Sequence, residues 1–226
     1  MVMERKISGM FAFVGVLLPS VQIMHAQQKP NIVFIMADDL GWNDLKVTGS
    51  DYYETPNIDR LASQGMMFSN AYSSAANSAP SRACLMSGMY TPRHGIFTVG
   101  TSERGDKNKR KLIPIHNTED LRVDFVTMPE ALQKSGYRCG HIGKWHLGDS
   151  LTPQHSFTKW FTIARGGCEY YKPDLVKDGK VFFENRYVTD IITENAIENI
   201  DELSGQESPF YLSIHYTSPH SPWDEK

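Results

Sequence analysis

The sequence predicts an α/β fold: a mostly parallel sheet with helices covering both of its faces. Three short apolar runs, Asn31 to Ala37, Arg138 to Ile142 and Phe210 to Tyr216, read as buried strands. Between them the pattern turns helical at Pro56 to Gln64, Ser81 to Ser87 and Met128 to Lys134. The clearest helix runs from Val188 to Leu203. There Val188, Ile191, Ile192, Ile197, Ile200 and Leu203 recur at helical spacing on one face. Two polar stretches without periodicity, Gly100 to Thr118 and Pro153 to Lys180, read as loops. Loops of that length are often binding loops, so substrate selection is expected there.

The strand ends carry the chemistry. The first run leads into Asp38-Asp39, the second into Lys144-Trp145-His146, and the third into His215 and His220. Ligand sites in open α/β sheets gather outside the carboxyl ends of the strands, so these groups are expected to share one crevice.

Composition narrows the class. The chain has 226 residues, 40% hydrophobic and 22% charged, as an ordinary globular protein does. A formal net charge of -3 offers no basic stripe, which argues against a nucleic-acid partner. The basic run Lys107 to Lys111 lacks interleaved aromatics and reads as a solvated loop. Residues 1–26 look like an export signal. Arg5 and Lys6 precede an apolar core, Met10 to Leu18, and a small-residue exit ends at Ala26. The core is too short for a membrane span, so an exported, periplasmic or secreted protein is expected, with residues 27–226 as one catalytic domain. Cys84, Cys139 and Cys168 are far apart and in no metal-ligand spacing, and Cys139 reads as core filler.

Four segments could carry a reaction. Adjacent carboxylates at Asp38 and Asp39 repel unless a cation or hydrogen-bond donors offset them, and hard ions such as calcium take carboxylate oxygens. A turn or helix cap is the plainer reading of that pair. In Ser78-Ala79-Pro80-Ser81-Arg82, Pro80 starts a helix and Gly88 ends it. Residue 78 then sits at a helix tip suited to anions, with Arg82 one turn on. The alternative is a surface helix with a solvated arginine. Lys144 and His146, if extended, point to the same side as an anion contact and a proton carrier. His220 lies between Pro219 and Pro222, in what is otherwise a rigid turn.

Taken in this order and spacing, the segments resemble the sulfatase family of the alkaline-phosphatase-like superfamily. The resemblance rests on Lys29-Pro30-Asn31-Ile32-Val33 leading to Asp38-Asp39, on Ser78-x-Pro80-Ser81-Arg82 ending in Ser87-Gly88, and on Gly143-Lys144-Trp145-His146-Leu147-Gly148. Thr55-Pro56-Asn57-Ile58-Asp59-Arg60-Leu61-Ala62 and Ser218-Pro219-His220-Ser221-Pro222 support it. It implies an alkaline-phosphatase-like sheet and hydrolysis of sulfate esters on a carbohydrate. It further implies that Ser78 is converted to formylglycine by an anaerobic radical maturation enzyme. Calcium would be held by Asp38, Asp39 and Ser78, and Arg82 would stabilise the modified residue. Lys144 and His146 would bridge it to sulfate, with His220 near the leaving oxygen.

One departure stands out. Family members continue well past this point and supply a further acid-amide pair to the metal and another lysine to the sulfate. The chain as given is therefore expected to show an exposed sheet edge, to bind calcium weakly and to turn over poorly. A phosphate or phosphonate ester hydrolase of the same superfamily, and a non-catalytic or degenerate fragment, are the other readings.

Overall fold

A computed structural model describes residues 29–223, so the export signal expected over residues 1–26 lies outside the described residues. A six-stranded sheet forms the centre, with strands β1 (Ile32–Asp38), β2 (Arg138–Gly143), β3 (Lys159–Ile163), β4 (Asp174–Lys177), β5 (Lys180–Phe183) and β6 (Phe210–Pro219). Their order across the sheet is β1-β6-β2-β3-β4-β5. The first four in that order run parallel, β4 runs antiparallel to β3, and β5 runs antiparallel to β4. The α/β expectation holds, with an antiparallel hairpin added at one edge.

That hairpin falls partly within Pro153 to Lys180, which the sequence alone reads as loop. The stretch contains β3 and β4, five and four residues long, too short for a visible alternation. Asp178 and Gly179 both take positive φ, 51° and 73°, as the two central residues of a tight strand-joining turn require.

Helices cover both faces. On one face α5 (Val188–Ser204) packs Val188, Ile191, Ile192, Ala196 and Leu203 against Ile142, Leu212 and Ile214. Ile197, expected on that stripe, is 54% exposed, and Ala196 faces the core instead. On the other face α2 (Ser78–Ser87) contributes Ala79, Ala83 and Met86 to a cluster with Cys139, Trp145, Phe157 and Tyr211. Met128 and Leu132 of α4 (Met128–Lys134) pack against that cluster. Burying these side chains drives the fold at roughly 25 cal/mol per Å² of apolar surface. A short helix, α3 (Thr91–His94), follows α2, and α1 (Pro56–Gln64) keeps the bounds read from sequence.

β6 is paired on both sides, by β1 and β2, and its residues alternate between the two cores. Phe210, Leu212 and Ile214 join the α5 side, whereas Tyr211 joins the α2 side. Ser213 and His215 share the parity of Tyr211 and are fully buried. At the far edge β1 has a partner on one side only, and Ile35 is 60% exposed. Among the described residues, no helix is long and apolar enough to cross a membrane.

Candidate active site

The strands deliver their terminal residues to one end of the sheet. β1 ends on Asp38, and Lys144 follows directly after β2. Gly143, at φ 97°, lies so close to β6 that a β-carbon there would come within 2.0 Å of the His215 carbonyl oxygen. Only glycine lets the two backbones meet in this way. Met36 pairs with His215, yet Asp38 pairs with Pro219. β6 thus spends four residues where β1 spends two, and His220 arrives beside Asp39, with Nε2 at 3.5 Å from the carboxylate.

α2 begins at Ser78, two residues before the start that Pro80 suggested, with Asn77 as its cap. A proline in the first turn loses only an N–H that has no helical partner anyway, so it tolerates the earlier start. Ser78 therefore occupies the helix tip, half-buried, with Oγ 3.0 Å from Nδ1 of His146. One turn on, Arg82 is 1% exposed, which removes the solvated-arginine reading. Its NH1 donates to the Lys144 carbonyl at 2.9 Å and meets Nδ1 of His215 at 2.6 Å. Its NH2 is 3.5 Å from Asp38 Oδ1.

Asp38 is buried between two cations. Lys144 Nζ donates to Oδ2, and Arg82 faces Oδ1. Burial lowers the pKa of both Arg82 and Lys144, and Asp38 pulls each back up. The group is balanced only because the carboxylate sits between the cations.

Lys144 and His146 do not project together as an extended pair. The strand ends at Gly143, and His146 takes φ 60°, which turns its ring toward Ser78. Burial, with Lys144 and Arg82 nearby, pushes the imidazole down to about 4, so it is neutral near pH 7. The sequence reading missed Gly166, which stands against this ring. A β-carbon at position 166 would lie 2.1 Å from His146 Nε2. The Gly166-Gly167 pair reads in sequence as a turn, and nothing in that signal points to the imidazole.

Two clefts open on the cluster. One of about 510 Å³ is lined by Asp38, Asp39, Ser78 and Arg82. The other, of about 560 Å³, is lined by Asp38, Lys144 and His220 together with Arg165, Tyr170 and Lys172. The last three come from the segment expected to select substrate. His220 and Asp39 lie on one side of Asp38, while the Ser78–His146 pair approaches through α2. Arg82 and Lys144 thus hold the buried Asp38 carboxylate, the Ser78–His146 pair stands beside them, and His220 pairs with Asp39 and lines the larger cleft with Asp38 and Lys144.

Carboxylate and hydroxyl oxygens are the donors a hard divalent cation prefers, so Asp38, Asp39 and Ser78 fit calcium in kind. Three such side chains are fewer than the about six to eight oxygen ligands that calcium takes. Among the described residues, no group of three or more His, Cys, Asp or Glu could hold a metal ion.

A helix-tip hydroxyl, a buried guanidinium and paired acids meet in a cleft at the carboxyl ends of the parallel strands of an α/β domain. The family model described as Sulfatase matches residues 30–226, and the chain belongs to the sulfatase family. It is 35% identical over 199 residues to an N-acetylglucosamine-6-O-sulfatase of Bacteroides thetaiotaomicron, covering 87% of this chain and 32% of that protein. It is 39% identical over 222 residues to the N-acetylgalactosamine-6-sulfatase of Homo sapiens, covering 87% and 41%. A solved structure in complex with its substrate D-glucosamine-2-N,6-O-disulfate matches with a TM-score of 0.71 and 35% identity, over 86% of this chain and 35% of that one. The chain therefore spans about a third to two fifths of the length of these relatives.

Proposed function

We propose that this chain carries the nucleophile-bearing part of a sulfuric ester hydrolase that removes sulfate from a sulfated carbohydrate. One observation carries the reading: the Ser78 hydroxyl is bonded to a neutral imidazole at a helix tip, beside two buried cations that share one carboxylate. Relatives named for 6-O-sulfated N-acetylhexosamines support that class of substrate.

In this reading Asp38, Asp39 and Ser78 hold calcium, and Ser78 is converted to formylglycine by an anaerobic maturation enzyme. When present, the ion supplies Lewis acidity toward a sulfuryl oxygen, and the hydrated aldehyde supplies a nucleophilic hydroxyl. Arg82 and Lys144 offset the negative charge of the sulfuryl group as it transfers. His146, neutral with Nδ1 toward position 78, takes a proton from the hydroxyl carried there. His220, at the mouth of the larger cleft, gives a proton to the departing sugar oxygen. Export to the periplasm or beyond, with cleavage after Ala26, belongs to the same proposal.

The test is sulfate release by protein co-expressed with a radical maturation enzyme, on 6-O-sulfated N-acetylglucosamine and on its phosphate counterpart. Mass spectrometry of the Ser78 peptide should show loss of two hydrogens. Full turnover with unmodified Ser78 would overturn the mechanism, and preference for the phosphate ester would favour the phosphatase alternative.

A further inference from the structure

His215 has no role in the mechanism above, yet it is completely buried, on a strand flanked by β1 and β2. The alternation of β6 makes positions 213 and 215 face the apolar α2 core, where aliphatic side chains are the ordinary occupants. Serine and histidine stand there instead. A buried polar pair is costly unless its hydrogen bonds are made.

They are made to Arg82. A guanidinium only donates, so the 2.6 Å contact from NH1 requires a lone pair on His215 Nδ1. The ring proton therefore resides on Nε2, which donates to Ser213 Oγ at 2.9 Å. Nδ1 also lies 3.2 Å from the Lys144 carbonyl, the second acceptor for Arg82 NH1. Burial, then Arg82 itself, then His141 hold the imidazole neutral, well below its usual range. NH1 is thereby saturated by two acceptors. Nε and NH2, along the other edge of the same plane, are buried and make no hydrogen bond within the chain, although NH2 faces Asp38 Oδ1 at 3.5 Å as an ion pair. Two parallel N–H groups along one edge form a fork that matches two oxygens of a tetrahedral oxyanion.

Building on the sulfatase reading, we infer that His215, with its tautomer set by Ser213, is a positioning residue for Arg82. It ties down NH1 and so leaves the Nε–NH2 edge to grip the sulfuryl oxygens. His215 acts through the guanidinium and touches no reacting atom.

The test compares His215→Leu, His215→Asn and Ser213→Ala in the matured protein, reading kcat and KM for a sulfate ester, Kd for inorganic sulfate, and thermal stability. Asparagine keeps an oxygen acceptor near the place of Nδ1, whereas leucine keeps bulk alone. Expected for His215→Leu is a drop in kcat of about 10- to 100-fold, as for a displaced catalytic group, with sulfate affinity weakened in parallel. His215→Asn should recover most of both, and Ser213→Ala should fall between wild type and His215→Leu. Losses that follow thermal stability alone, with asparagine no better than leucine, would show a merely structural residue. If His215→Leu does not fold, Ser213→Ala with wild-type kcat and sulfate affinity overturns the inference. A wild-type protein that binds no inorganic sulfate at all would instead sink the sulfatase reading itself.

Discussion

Replacing Gly166 with alanine puts a methyl group where the His146 imidazole now stands. The new carbon would lie 2.1 Å from Nε2 and 2.3 and 2.6 Å from ring carbons. An ordinary contact is about 3.5 Å, so the ring must retreat by about 1.4 Å. The Ser78–His146 hydrogen bond, now 3.0 Å, cannot survive a shift of that size. A misplacement of about 1 Å costs on the order of 100-fold in rate, and kcat for sulfate release is expected to fall by that factor. Gly166 does not occupy the left-handed region, and the obstructing group is a side chain that can swing away. Stability should therefore change by less than about 1 kcal/mol. Gly167→Ala is the control, because nothing lies within 4 Å of a β-carbon there. Steady-state kinetics and chemical denaturation on both variants decide the matter. If Gly166→Ala keeps kcat within about threefold of wild type, Gly166 is not what holds His146 in its catalytic place.

Three further outcomes follow from the same geometry. Asp38→Asn leaves Arg82 and Lys144 without their shared counter-charge, and denaturant unfolding should show a loss of about 3–5 kcal/mol; a loss under about 1 kcal/mol would show that the cations do not depend on Asp38. His141 is buried among Trp145, Phe157 and Trp160 with both ring nitrogens unpartnered, and burial depresses it to about 3. Its folded pKa lies below the unfolded value near 6.5, so its stabilising effect is complete above that value and is lost as pH falls toward 3, by up to roughly 5 kcal/mol. His141→Phe should flatten that acid limb and be neutral or stabilising at pH 7, as urea midpoints across pH would show; an unchanged acid limb refutes it. Calcium added to the isolated 226-residue chain should bind with Kd no tighter than about 10⁻⁴ M, because three side chains are too few for a hard cation; a micromolar Kd by calorimetry would contradict this.

Much of the fold was visible in the sequence wherever local pattern and tertiary packing agree. Helical patterns marked Pro56–Gln64 and Met128–Lys134, and apolar runs marked β1, β2 and β6 to within a few residues. β3 and β4 escaped because a four- or five-residue strand has no period to detect, and its identity comes from its neighbours. Within the site, residue types were legible and partnerships were not. Arg82 looks the same in sequence whether solvated or buried, and only the fold shows its carbonyl and imidazole acceptors. The turn at His146 depends on a left-handed backbone at a non-glycine residue, which no spacing rule anticipates. Gly166 was read as punctuation, although the ring it accommodates belongs to a segment twenty residues earlier.

The two-sided character of β6 couples folding to chemistry in a specific way. Its even-numbered residues seal the hydrophobic layer beneath α5, and two of its odd-numbered residues fasten the guanidinium. A slip of one residue against β1 or β2 would therefore drive a serine and a histidine into oil and hand Arg82 a row of hydrocarbon. Misregistered molecules would be penalised in the core as heavily as in the site. Any population that reaches the stable native state has thus already been sorted for a correctly aimed arginine.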